Sequence, residues 1–461
     1  MKIMDSQSRP RPKKRWLILV GLFAVGYFDI GTLKSLGVFL EEMTDDLQTS
    51  LAVVGVAIGL CHGIAHCFAV VNVPLLKRFS AGKLIITGSS IAATGLSLIY
   101  FATSGIHFLL LMLLTGFGSS VVILPSHACV IDYFPDHFEI ATTIVLLGSG
   151  VGMMTLPLLT EQLVMAYSWR GAILILGALN LHSCVTGLLM ASSSQQRRVL
   201  GEPSTLAGRA QIGEDHEELV SLINEPATVD PHYIADDRND DGVFCFIAII
   251  ARAAKKIFLD IFDIKVFRDC PRFITICMTH FILAVSFYGW IVFLIPNAEA
   301  KGISPGRAVL LTTIGGAANI FGRLTVGFQA ARLNLKPQVT YCFISIVSAG
   351  AFFCNFFTKR FSILSCLAAI NGFAIGGKVM SFNLLCKDSV SDERYPAALS
   401  FSSLAVGIGE AVGALFIGLL YDYTKSFDIM FCVLGAANIL ESCIIISPII
   451  MDWMVAMVTP R

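Results

Sequence analysis

The chain has 461 residues, and its composition is too apolar for a soluble protein that folds around a single hydrophobic core. Hydrophobic residues make up 55% of the chain and charged residues 14%, and the mean hydropathy is +0.74. Lys and Arg together number 33, as do Asp and Glu, so the balanced charge argues against a nucleic-acid partner. Composition therefore predicts an all-α membrane protein embedded in a lipid bilayer.

The cysteines and histidines give no sign of a cofactor or a resident metal. The 13 cysteines lie mostly inside apolar runs, with no CxxC pair and no zinc-ligand spacing, so we interpret them as small buried hydrophobic residues. His62 and His66 have the four-residue spacing of a metal chelate. Because no third ligand accompanies them, we interpret both as polar groups that face a cavity or a neighbouring helix.

The N-terminal residues predict the orientation of the chain in the membrane. Residues 1–15 are polar and basic and stand directly before the first apolar run. That run is too long for a cleavable signal and lacks a small-residue cleavage site. Acidic residues follow it, and cations before a span with anions after it place the N-terminus in the cytosol and Glu41–Ser50 outside.

Twelve apolar stretches are each long enough to cross a bilayer, which takes about 20 residues. In the first half they are Trp16–Leu40, Leu51–Leu75, Lys83–Ala102, His107–Val130, Ile140–Met165 and Gly171–Met190. In the second half they are Arg272–Pro296, Gly306–Gln329, Gln338–Phe357, Phe361–Leu385, Tyr395–Leu420 and Phe427–Met451. Six spans, a long polar segment and six more spans are the layout of a transporter with two six-helix bundles and both termini inside.

The polar segment between the halves, Ala191–Asp269, is longer than any connection within a compact bundle. Its far end, Val243–Ile264, mixes apolar and charged residues and predicts either an amphipathic helix on the inner leaflet or a soluble helix packed under the bundle. The predicted units are a cytosolic tail at 1–15, a bundle at 16–190, a cytosolic central loop at 191–270, a bundle at 271–452 and a cytosolic tail at 453–461.

Arg323 is the most informative charge in a predicted span. An arginine at the centre of a spanning helix costs about 2.5–3.5 kcal/mol, so such a residue usually faces the bundle interior or water and has a role. Asn319 lies four residues earlier, on the same helix face. A guanidinium matches a carboxylate with two hydrogen bonds. We expect solute to bind on this face, and the alternative is a structural pair with a neighbouring carbonyl or carboxylate.

Four further charges within predicted spans are candidates for a functional role. Lys34 stands near the outer end of the first span, where it either contacts a ligand or extends to the interface. Lys378 either contacts an anionic substrate or pairs with Asp29 or Glu410. Asp29 and Glu410 are also the candidates for carrying a proton through the membrane.

Seven motifs occur in register along the chain. They are Lys34–Phe39, Asp132–Phe134, Gly148–Gly152, Tyr167–Ala172, Gly322–Leu324, Gly372–Gly376 and Gly418–Thr424. Each is weak alone, but together they resemble the monocarboxylate transporter family of the major facilitator superfamily. The resemblance covers almost everything except the tails and the central loop.

The resemblance implies a rocker-switch carrier that moves small carboxylates across the plasma membrane through a central cavity. In the family, a first-span lysine and an aspartate–arginine pair in the eighth span bind substrate and, in coupled members, the proton. Lys34, Asn319 and Arg323 stand at those positions here, so the aspartate is missing. Phe373 lies within the tenth-span motif, where it either shapes substrate size or packs between helices.

Asn319 also carries a prediction about energy coupling. Its amide has hydrogen-bonding groups but does not titrate in the physiological range, so the site lacks the family's proton carrier. We therefore expect facilitative transport of a small organic anion with weak dependence on a proton gradient. Departures from other family motifs, such as Asp136–Phe138 in place of a basic cluster, indicate a divergent member whose substrate does not follow from its relatives.

Other functional classes compete with a carrier. An enzyme would show a nucleophile with a base, or a three-ligand metal set, and the sequence shows neither, so no enzymatic activity is expected. The alternatives that stay open are a transporter-like substrate sensor and a carrier of amino-acid-like or guanidino solutes. An ancillary single-span chaperone is compatible with the chain, but no motif points to one.

Overall fold

The computed structural model describes residues 12–49, 51–199, 264–333 and 335–458. Every regular element within those ranges is a helix. The predicted amphipathic helix lies outside the described residues except for Ile264, its last position. The apolar composition and the long uncharged runs account for the all-helical fold, since a helix satisfies its own backbone hydrogen bonds in lipid.

Within the described residues, nine α-helices and three short 3-10 helices form the first half of the chain, and seven α-helices form the second half. The first-half helices are α1 Pro12–Ser35, α2 Leu40–Asp46, α3 Leu51–Cys67, α4 Ala69–Arg78, α5 Ala81–Leu98, α6 Gly105–Ala128, α7 Val130–Tyr133, α8 Phe138–Asn180 and α9 His182–Val199. The second-half helices are α10 Lys265–Asp269, α11 Phe273–Ala300, α12 Pro305–Leu333, α13 Pro337–Phe356, α14 Phe361–Ser389, α15 Tyr395–Thr424 and α16 Phe427–Val458.

The spans agree with the hydropathy pattern, although two of them run together. Within the described residues, ten helical stretches are long and apolar enough to cross a membrane, or eleven if α3 and α4, bent by 43°, form one span. Helix α8 has 43 residues, roughly 65 Å of helix and about twice the bilayer core. Ser168, with φ of 61°, interrupts it between the two stretches predicted to span. The predicted all-α, multi-span fold class is confirmed.

Glycines let α1 lie directly against α8 in the first half. A Cβ atom added at Gly148 would overlap the carbonyl oxygen of Phe23, and one added at Gly152 would overlap that of Tyr27. Both glycines belong to the Gly148–Gly152 motif, so this motif has a packing role. Close backbone contact of this kind holds helices together in lipid, where hydrophobic burial gives no net drive.

The second half repeats this arrangement between α12 and α14. A Cβ atom at Gly322 would overlap the carbonyl oxygen of Phe373, and one at Gly376 would overlap that of Asn319. The two glycines therefore fix the distance between the helix that carries Arg323 and its neighbour.

Gly55, Gly59 and Gly63 recur at four-residue spacing along α3, which is typical of close helix pairs. Nothing lies within 4 Å of a Cβ atom added at Gly55. At Gly59 the nearest atom is the Tyr288 hydroxyl at 3.2 Å, and at Gly63 it is the carbonyl oxygen of Gly407 at 3.7 Å. Gly55 thus has open space beside it, whereas α3 and α15 pack closely at Gly63, because a Cβ atom added at Gly407 would lie 2.8 Å from the Gly63 carbonyl oxygen.

The buried apolar residues show where the two halves meet. One cluster contains residues of both halves, including Phe138 and Tyr395, whose rings meet edge to face with centroids 5.5 Å apart. A second cluster around Trp169 belongs to the first half, and a third around Phe431 belongs to the second. Within the described residues, the halves thus share a core at the end that carries Phe138 and keep separate cores at the opposite end.

Charged contacts outside the spans fasten α10 to the second bundle. The Arg394 guanidinium donates to the Asp269 carboxylate, and this hydrogen bond lowers the pKa of Asp269. Arg272 and Asp452 form a two-pronged pair with Nη2 and Oδ1 2.6 Å apart. Both pairs are solvent-exposed, so they position the segment that leads into α11 and add little stability.

Candidate functional site

A cavity of about 200 Å³ lies between the two halves. Its walls come from α1, α3, α6 and α8 of the first half and from α11, α12, α14 and α15 of the second. Most lining residues are apolar, and the polar ones are Asp29, His62, His66, Ser126, His127, Ser149, Arg323, Asn383, Ser403 and Glu410. A concave, mainly apolar surface with a few polar groups is the usual form of a small-molecule site.

Arg323 reaches the cavity wall from α12, with only 5% of its surface exposed. Its Nε donates to Asn319 Oδ1 at 3.0 Å. Its Nη1 crosses to α8 of the other half, where it donates to the carbonyl oxygen of Leu146 and to Ser149 Oγ, the latter at 2.6 Å. The guanidinium thus contacts both halves of the molecule.

Among the described residues, no carboxylate pairs with the charge of Arg323. Among the residues that the structure describes, its hydrogen-bond acceptors are all neutral, and Nη2 has no protein acceptor. Burial of a charge is costly unless an opposite charge or good hydrogen bonds compensate it. An anion in the cavity would supply the missing charge and accept from Nη2.

Asn319 is buried behind Arg323 and is not part of the cavity lining. Its amide oxygen fixes the guanidinium by accepting from Nε. The structure therefore brings together two of the residues predicted to bind solute, with Arg323 at the wall and Asn319 as the group that orients it.

Three other predicted binding residues lie outside the cavity lining. Lys34 has a solvent-accessible side chain near the end of α1. Phe373 is half-buried on α14, where its backbone packs against Gly322. Lys378 is almost wholly buried within the second half. Their predicted contacts with substrate remain predictions.

Lys378 has a different partner from the two that the sequence suggested. Its Nζ donates to Asn438 Oδ1 and to Glu441 Oε2, the latter at 3.1 Å. The expectation that Lys378 pairs with Asp29 or Glu410 is therefore wrong. Asn438 and Glu441 both lie on α16, so this ion pair joins two helices of the same bundle. Sequence reasoning missed Glu441, although an acid inside an apolar span is a visible signal.

Both acids predicted to carry a proton line the cavity. Asp29 accepts a hydrogen bond from Ser119 Oγ at 2.7 Å. Glu410 is 3% exposed, and its Oε2 lies 2.8 Å from His62 Nδ1. The contact between His62 and Glu410 crosses from one half to the other.

The motif around Trp169 lies outside the cavity lining and serves as an anchor. Trp169 Nε1 and Arg170 Nε donate to the Asp46 carboxylate at 3.1 and 2.9 Å. Arg170 Nη1 also donates to the carbonyl oxygens of Tyr100 and Ala102. The motif therefore connects the second part of α8 to the end of α2 and to the residues that follow α5.

Two helical bundles around a central cavity define a class of membrane transporters. The family model described as Major Facilitator Superfamily matches residues 18–296 and 276–450. The chain belongs to this superfamily, whose members are transporters.

Similar proteins point to the monocarboxylate transporters within this superfamily. The chain is 26% identical over 438 residues to monocarboxylate transporter 12 of Mus musculus, covering 93% of this chain and 84% of that protein. It is 22% identical over 433 residues to monocarboxylate transporter 2 of Mesocricetus auratus, covering 92% of this chain and 82% of that protein. The family resemblance predicted from the motifs is confirmed.

Solved structures agree on the fold. The E. coli fucose:proton symporter FucP superimposes with a TM-score of 0.62 at 12% identity, covering 94% of this chain and 98% of that one. A FucP structure described as outward in conformation gives a TM-score of 0.60 at 13% identity. At such low identity the likeness concerns the fold alone.

Proposed function

We propose that this protein is a secondary carrier that moves a small organic anion, such as a monocarboxylate, across the plasma membrane. The observation that carries the proposal is Arg323, a buried guanidinium on the cavity wall whose protein partners among the described residues are all neutral. A carboxylate is the natural complement, because it accepts two parallel hydrogen bonds and neutralises the charge.

The cavity supports a small substrate. Its volume of about 200 Å³ is below the range of roughly 300–1,000 Å³ that holds drug-sized ligands. Apolar lining residues such as Leu283 and Phe287 suit the carbon skeleton, while Arg323 suits the acid group. The same arrangement also accepts the carboxylate end of a zwitterion, so amino-acid-like solutes are a second substrate class.

The shared core supports alternating access as the mechanism. The halves pack together around Phe138 and Tyr395, whereas their clusters at the other end are separate. With the termini in the cytosol, the packed end faces the cytosol and the cavity faces outward. Since Arg323 bonds to α8 of the opposite half, an anion that competes for the guanidinium would loosen this contact and favour rearrangement of the halves.

The residue beside Arg323 supports a transport mode that is not coupled to protons. The group beside Arg323 is the amide of Asn319, which holds the guanidinium but carries no proton. Transport is therefore facilitative, and the substrate gradient drives it.

Reconstitution tests the proposal against a sensor. The purified full-length chain is placed in sealed vesicles, and uptake of labelled monocarboxylates, amino acids and guanidino compounds is measured beside binding by thermal shift. A carrier takes label up into the vesicles, and an unlabelled competitor prevents this uptake. Ligand-induced stabilisation without uptake would mean a sensor, and neither signal across the anion panel would overturn the proposal.

A further inference from the structure

Three side chains that could ligate a metal meet where the two halves touch. His62 and His66 are one turn apart on α3, with ring centroids 4.8 Å apart. Glu410 of α15 approaches from the other half, with its Oε2 2.8 Å from His62 Nδ1. One donor atom from each of the three residues lies within 4.8 Å of the others. The third group could not be recognised from the sequence, because Glu410 lies 348 residues from His62.

We propose that His62, His66 and Glu410 form a site for a divalent transition-metal ion of the Zn²⁺ type, and that the bound ion joins the two halves. Two imidazoles and one carboxylate are a recurrent donor set for zinc, with two histidines at four-residue spacing on one helix face. Imidazole ligands favour Zn²⁺, Cu²⁺ and Ni²⁺ over Mg²⁺ and Ca²⁺, which take oxygen ligands.

His66 supplies an independent observation that points to a ligand. Its Nδ1 is buried and has no hydrogen-bond partner among the described residues. Buried polar atoms in native proteins are nearly always satisfied, so an orphaned one needs a partner. A metal ion ligated through Nδ1 would satisfy this nitrogen without breaking any hydrogen bond that it now makes.

The geometry requires only small adjustments. With ligand bonds of about 2.1 Å, two donors on a tetrahedral ion lie roughly 3.4 Å apart. The His62–Glu410 contact would therefore open slightly from 2.8 Å, and the wider separations, up to 4.8 Å, would close. Three protein ligands leave a fourth position for water or for a solute carboxylate.

Metal binding would restrain movement of the halves. His62 and His66 belong to the first bundle and Glu410 to the second, so an ion that bonds all three must be released or partly stripped before the bundles separate at this contact. Bound metal would therefore slow transport. This consequence rests on the proposed carrier function, whereas metal binding itself does not.

Co²⁺ serves as the probe for the site, because its visible absorption reports coordination by nitrogen and oxygen donors. Titration of the purified full-length protein in detergent should give saturable absorption bands that Zn²⁺ abolishes and excess Mg²⁺ leaves unchanged. His66→Ala and Glu410→Gln should each weaken Co²⁺ affinity at least tenfold, since loss of even a supporting group costs 10–100-fold. His66→Ala is the gentler variant, because Nδ1 forfeits no hydrogen bond.

His127→Ala is the matched control, because this histidine also lines the cavity but lies outside the donor set. It should bind Co²⁺ as tightly as the parent protein. Unchanged affinity in folded His66→Ala and Glu410→Gln, or an equal loss in His127→Ala, would overturn the assignment of the site.

Uptake by vesicles tests the second part of the proposal. Zn²⁺ should slow uptake by the parent protein several-fold, a chelator should restore it, and His66→Ala should resist inhibition. Co²⁺ binding without any effect of Zn²⁺ on measurable uptake would refute the restraint on the halves. If the vesicles show no uptake at all, the carrier function fails while the Co²⁺ titration still decides the site.

Discussion

Arg323 and Lys378 are both buried cations, but their surroundings differ and indicate different roles. Both residues carry a charge into an apolar span, and the sequence alone makes both candidates for an anion site. The Glu441 carboxylate neutralises the charge of Lys378. Within the described structure, by contrast, every hydrogen-bond acceptor of Arg323 is neutral. The difference lies in their neighbours, which belong to helices distant in sequence. We therefore propose that Lys378 stabilises the second bundle.

The Lys378–Glu441 pair leads to a stability prediction. Lys378→Met leaves the Glu441 carboxylate buried without its cation and should destabilise the protein by about 3–5 kcal/mol, while Lys378→Met combined with Glu441→Leu should restore most of that stability. Thermal unfolding in detergent measures both. Ligand binding by the stable double variant then separates the roles, because a substrate role for Lys378 would abolish binding even though the fold is restored.

At the scale of helices, hydropathy was sufficient to place the spans but not their contacts. Ser168 divides α8 between the two stretches that were predicted to span separately. The number of spans could be predicted because the length and apolar content of each stretch determine whether it crosses the bilayer. The pairing of His62 with Glu410 and of Lys378 with Glu441 could not be predicted, since hydropathy does not state which helices are neighbours. Asn319 and Arg323 were found together because both lie on one face of one helix.

Glycine contacts supply the second prediction. Gly322→Ala places a methyl group against the carbonyl oxygen of Phe373 and must move α12 from α14, whereas Gly55→Ala meets nothing within 4 Å. The first variant should lose about 1–3 kcal/mol of stability. The second should be neutral or slightly stabilised, since alanine favours helix. Thermal unfolding compares them, and equal stability would show that the α12–α14 contact is looser than described.

For the whole molecule, the orientation in the membrane is the third prediction. The basic residues among positions 1–15, ahead of the first apolar run, predict that both termini and residues 191–270 lie in the cytosol, with Glu41–Ser50 outside. In a background whose reactive native cysteines are replaced, Gln48→Cys should react with an impermeant maleimide in intact cells. Ser221→Cys should react only after permeabilisation. Reaction of Ser221→Cys in intact cells would reverse the assigned orientation.

Energy coupling is the fourth prediction. Uptake by the parent protein should change little with an imposed pH gradient, because Asn319 carries no proton. Asn319→Asp restores an acid beside Arg323 and should introduce acid stimulation. Steep acid stimulation of the parent protein would contradict facilitative transport. Its loss in Asp29→Asn or Glu410→Gln would then identify the residue that carries the proton.

We propose that Arg323 binds an anion in a cavity that opens alternately to the two sides of the membrane. Exchange in sealed vesicles tests it most directly, because preloading with unlabelled anion accelerates entry of labelled anion only if one binding site faces each side in turn. The parent protein should show this acceleration, Arg323→Lys should retain a small part of it because the two-pronged geometry is lost, and Arg323→Ala should show none. Undiminished exchange by correctly folded, reconstituted Arg323→Ala would show that Arg323 does not bind the transported anion.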